Sequence, residues 1–100
     1  MTPDPASPWR VEIVEHGRSG RVVYQEAAGQ VAFHWEFSGG DAIASLWVGA
    51  AEHWNSRVPW AAGRRAEILE RVALEVVRRR APSCRALIEA RPGFIEIRAG

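Results

Sequence analysis

At 100 residues the chain is long enough for one domain with a core of its own and leaves no room for a second. Its 47% hydrophobic and 25% charged residues are the balance of a globular fold, which excludes wholesale disorder. A net charge of +1 excludes a strongly one-signed surface, and although all 13 basic residues are arginine, the Ala and Gly abundant beside them fit a GC-rich coding sequence as well as an anionic partner.

Residues 1–8 hold Pro3, Pro5 and Pro8 without an apolar pattern and are expected to be a flexible leader to a single domain over 9–100. From Trp9, the residues Trp9, Val11 and Ile13 alternate with Arg10 and Glu12, the period of two that marks a strand with one buried face over about residues 9–15. The turn residues Gly17 and Gly20 then lead into RVVYQE at 21–26, so a hairpin is the economical connection. After a turn at Ala28-Gly29-Gln30, residues 31–37 form the clearest strand, with Val31, Phe33, Trp35 and Phe37 on one face and Ala32, His34 and Glu36 on the other. Ser38-Gly39-Gly40-Asp41 is a strong turn signal. The next strand, AIASLWV at 42–48, is apolar on both faces, which suits the middle of a sheet or an interface. Residues 49–58 read as a connection with room for one turn of helix.

Residues 59–80 read as one long amphipathic helix. Leu69, Val72, Ala73 and Val76 fall in one stripe flanked by Ile68, Ala66 and Val77, with Arg64, Glu67, Arg71, Glu75 and Arg78 opposite. Glu67 to Arg71 and Glu75 to Arg79 have the favourable acid-first spacing. Pro59 suits a first turn, although Gly63 weakens it, and Pro82 sets the stop, with Arg78, Arg79 and Arg80 at the negative end of the helix dipole. The helix is basic while the stretch before residue 60 is net acidic, so the two are expected to attract within the fold or simply to stay solvated, ahead of a dedicated anionic partner. CRALIEA at 84–90 and FIEIR at 94–98, separated by Arg91-Pro92-Gly93, close the chain as a hairpin.

Few residues point to chemistry. Of the five tryptophans, Trp9 and Trp35 sit on apolar strand faces and are expected in the core. Trp47 shares a strand face with Ser45, and Trp54 and Trp60 lie in the irregular stretch before the helix, so these three are candidates for a groove or a subunit contact. Each histidine has a carboxylate near it in sequence, but spacing puts only His34 and Glu36 on one strand face, and His53 follows Glu52 directly. None of the three matches a zinc motif, and a solvated polar face accounts for them, so no metal and no cofactor are expected. Cys84 lacks the surroundings of a nucleophile and, as a lone cysteine, closes no disulfide, in keeping with a reducing compartment. No phosphate loop or nucleophile elbow occurs, so no catalytic residue is assigned. No apolar run approaches the ~18 residues of a membrane span, and a cytoplasmic location is expected. Acids interrupt the arginines of the helix, which argues against nucleic acid.

The expected fold is α+β: an antiparallel sheet of five or six strands, in the order ββββαββ, packed on the helix. A helix ~10 Å wide covers only two or three strands spaced ~4.8 Å apart, so either the sheet curls around it or a second copy covers the rest. The first functional expectation is a non-enzymatic binding or protein-interaction module acting as a homodimer, joined through the sheet or its aromatic surface with Trp47 at the contact. The alternative is a small-ligand protein or small enzyme with a pocket between sheet and helix, lined by Trp54, Trp60 and His34 or His53. The expected partner is a second copy or another protein, with neither membrane nor nucleic acid involved.

Overall fold

The computed structural model describes residues 8–37, 42–89 and 91–99, with Ala42 given as backbone only. The leader expected over residues 1–8, apart from Pro8, and the turn at Ser38-Gly39-Gly40-Asp41 lie outside the described residues. Each alternating stretch is a strand: β1 (Trp9–His16), β2 (Ser19–Glu26), β3 (Gly29–Phe37) and β4 (Ala42–Trp47) form a meander. The chain then crosses through a short helix α1 (Trp54–Arg57) and the main helix α2 (Arg65–Arg80), and returns as β5 (Cys84–Ile88) and β6 (Phe94–Ala99). All pairings are antiparallel, in the order β1-β2-β3-β4-β6-β5, so the doubly apolar β4 is interior and β5 is an edge. The fold is α+β with the element order ββββαββ.

The main helix is shorter than its sequence suggests. It has 16 residues and begins at Arg65, because Gly63 takes a left-handed conformation (φ +77°) that ends the turn started at Pro59. The Gly63 N–H donates to Asn55 Oδ1 at 2.9 Å, which fixes that break. Residues Ile68, Leu69, Val72, Ala73 and Val76 are buried on the expected stripe. They meet one face of the sheet, carrying Val11, Val22, Tyr24, Phe33, Trp35, Leu46, Ile95 and Ile97.

Two devices let so short a helix serve six strands. The sheet curls, since α2 packs against both edge strands: Arg79 donates to the Val11 carbonyl at 2.6 Å and Arg80 pairs with Glu15 at 2.7 Å on β1, while β5 lies along its other flank. Six strands at ~4.8 Å span ~24 Å, and one helix touches both edges only if they bend toward it. The connection is the second device. It folds as three short helical turns, Ala51–His53, α1 and Pro59–Ala61, which bury Trp54, Val58 and Ala61 over the end of the sheet that α2 leaves bare. Arg64 just before α2 and Arg80 at its end join acids of the first half, Arg64 with Glu26 at 2.8 Å and Arg80 with Glu15.

Candidate functional site

Among the described residues, no helix lies over the face of the sheet turned away from α2. Alternation places His34 of β3, Trp47 of β4 and Phe94 of β6 there, and register brings them side by side as His34↔Trp47 and Trp47↔Phe94. The His34 and Trp47 rings lie 5.0 Å apart, the Trp47 and Phe94 rings 5.2 Å apart, both tilted. The Arg91 guanidinium stands 3.8 Å over the Phe94 ring, a cation–π contact that ends the row. Trp47 keeps 37% of its surface exposed.

The next row across the same strands is polar: Glu36, Ser45 and Glu96. Glu96 and Ser45 are buried although they stand on the open face. The carboxylate of Glu96 receives Arg98 at 2.7 Å and Arg91 at 3.7 Å, so Arg91 ties the polar row to the aromatic one. Glu36 approaches His34 at 3.7 Å. The site is therefore a strip of rings bordered by ion pairs, which offers burial and orientation to a ligand. Among the described residues, no three of His, Cys, Asp and Glu come together as a metal-ligand set.

The structure thus gathers three of the sequence candidates, Trp47, His34 and Glu36, on one surface. The other three stand elsewhere. Trp54 is in the core, its ring stacked 6.3 Å from Phe33 and its indole N–H donating to the Ala61 carbonyl at 2.9 Å. Trp60 is half-buried, parallel to Tyr24 at 6.5 Å and pressed on Gly29, where a Cβ would meet its ring at 2.8 Å. His53 is exposed beside Glu52 at 3.9 Å. Sequence reasoning missed Phe94 and Arg91 as neighbours of Trp47. The period of two in FIEIR put Phe94, Glu96 and Arg98 on one face, but nothing local says that β6 lies against β4.

A second concavity opens between sheet and helix at the C-terminal end of α2, with a volume of about 220 Å³. Val22, Trp35 and Ile97 form its floor, Phe37 and Ile43 its exposed lip, and the Glu15–Arg80 pair its polar rim. A register shift between Ala42 and Ala44 brings Ile43 and Ala44 together into this lining, so Ile43 serves the helix side of the sheet. No family model, curated protein or solved structure matches this chain.

Proposed function

We propose that this protein is a non-enzymatic binding module, homodimeric, whose working surface is the aromatic row on the open face of the sheet. The carrying observation is Trp47 held between His34 and Phe94 on that face. The exposed side of an antiparallel sheet ordinarily alternates to polar residues, and here its central strands present rings capped by an arginine. An aromatic–arginine cluster within a polar rim, open to be covered by a partner, is the composition of an interaction hot spot. Glu36 at the border favours a protein segment that lays apolar side chains along Trp47 and offers a basic group to that carboxylate.

Panning a displayed peptide library against the purified chain tests this reading. Selected peptides should carry aliphatic or aromatic residues near a Lys or Arg, and should lose binding to Trp47→Arg while that variant keeps its circular dichroism. Peptides that bind Trp47→Arg as well as the wild type would sink it.

The apolar concavity supports a second reading, a small-ligand protein, with Trp35 and Phe37 in place of the expected Trp54 and Trp60. Saturable quenching of tryptophan fluorescence by a micromolar apolar metabolite, abolished in Ala44→Phe, would favour it.

A further inference from the structure

The two edges of the sheet differ. At β1, Arg79 of α2 reaches the Val11 carbonyl and Arg80 pairs with Glu15, so the helix's side chains close over that strand. At β5, no α2 side chain bonds the strand backbone among the described residues, and an apolar groove runs beside it, lined by Ala73, Leu74, Val77, Ala86 and Ile88 with Glu70 on its flank. Leu74 is 69% exposed on an otherwise polar helix surface. We propose that this edge pairs with the same edge of a second copy, β5 against β5, antiparallel about Ala86, with the two α2 helices meeting at Leu74. The inference rests on the homodimer reading and assigns its interface.

Backbone direction gives the register. The Glu89 N–H donates to the Phe94 carbonyl at 3.0 Å, toward β6. In the alternation of an antiparallel ladder, Leu87 and Arg85 then also turn their backbone groups to β6, while Cys84, Ala86 and Ile88 turn theirs outward. The Cys84 N–H is already bent back to the Ala81 carbonyl at 2.8 Å. What the edge offers is therefore the N–H and C=O of Ala86, the N–H and C=O of Ile88, and the C=O of Cys84. A two-fold axis at Ala86 pairs these with themselves: Ala86 exchanges both bonds with Ala86 of the second copy, and each Ile88 N–H meets the Cys84 carbonyl opposite. The Cys84 N–H, spent on Ala81, leaves the Ile88 carbonyl opposite without its ladder donor. The Ile88 carbonyl remains for water.

Side chains agree with this register. Arg85 falls opposite Leu87 of the second copy, so no like charges face each other across the new pair. On the helix side, α2 lies along β5, and the same axis sets the two helices antiparallel with Leu74 near Leu74. The surface is complementary to itself in apolar contact and backbone bonding, which is what an isologous interface requires.

Sedimentation of the full chain at micromolar concentration, with a thiol cross-link to read the register, decides the matter. The wild type should run at twice 11.1 kDa. Leu74→Arg, a change at an exposed site that the fold tolerates, should weaken the dimer by about 30-fold or more. Trp47→Arg should leave it intact. In a Cys84→Ser background, Ala86→Cys should oxidise to a covalent dimer, because a hydrogen-bonded antiparallel pair holds Cα atoms ~5.5 Å apart, within disulfide range. Ala32→Cys on the open face should not cross-link. A dimer that survives Leu74→Arg, resists cross-linking at Ala86 and dissociates with Trp47→Arg would overturn the edge pairing and leave a homodimer built on the open face. A wild-type monomer would overturn both.

Discussion

Trp47 and Trp54 are close in the chain, yet they lie on opposite faces of one sheet and do opposite things. Trp54 is 1% exposed, stacked on Phe33, with its indole N–H bound to the Ala61 carbonyl, so it closes the end of the core that α2 does not reach. Trp47 is 37% exposed and rests on its strand neighbours His34 and Phe94. The first ring loses water and gains a packed partner on every side when the chain folds. The second gains much less from folding alone. Stability should therefore reside on the helix side of the sheet and binding on the other, and substitutions on the two faces should separate them.

The largest effect is expected from Trp54→Ala, a loss of about 3–5 kcal/mol by removal of a buried ring together with its N–H bond to the Ala61 carbonyl, which keeps the Arg64 N–H as a partner. Urea denaturation measures it as a lowered midpoint at unchanged slope. Leu69→Ala on the buried stripe of α2 should cost about 2–5 kcal/mol in the same titration, and a loss below about 1 kcal/mol would mean that the stripe is misplaced. Trp47→Ala should change the unfolding free energy by no more than about 1 kcal/mol while abolishing peptide binding. A large loss of stability at Trp47 would erase the distinction between the faces.

A smaller effect is expected where the closing hairpin meets the start of α2. Burial pushes the Glu89 carboxyl up, but the Gly93 N–H at 3.1 Å and the Arg65 guanidinium outweigh it and hold it below the usual carboxylate range. The folded value is depressed, so the carboxylate's contribution is whole above the unfolded value of about 4.3 and is lost as pH falls through the folded one. Glu89→Gln should accordingly melt below the wild type at about pH 7, and the gap should close as pH falls through the folded value. A gap that persists in acid would mean that Glu89 acts through shape and not through charge.

Much of the fold was legible because its signals are local. A period of two reports each strand, since successive side chains point to opposite faces whatever the strand's neighbours are. Thus Trp9, Val11 and Ile13 announced β1, and Phe33 and Trp35 announced the buried face of β3. The helix stripe was legible for the same reason. Its start was not, because Pro59 and Gly63 each fit a helix and a break, and the choice fell to the Gly63 bond with Asn55 and to the burial of Ala61 between them. Trp54 itself looked like a groove residue, for nothing local shows that residues 51–61 fold down over the sheet.

The amino-acid sequence by itself determined the strands and main helix, their order, the inward faces of β1 and β3 and the stretch of helix that packs, because each of these depends on residues within a few positions of one another. Only the tertiary structure decided that β6 pairs with β4, that the sheet curls until both edges touch α2, and that Phe94 and Arg91 complete a row with Trp47 and His34. Those outcomes depend on contacts between distant residues, whose energies come from shared burial and ladder bonding and leave no mark on the spacing of side chains along the chain.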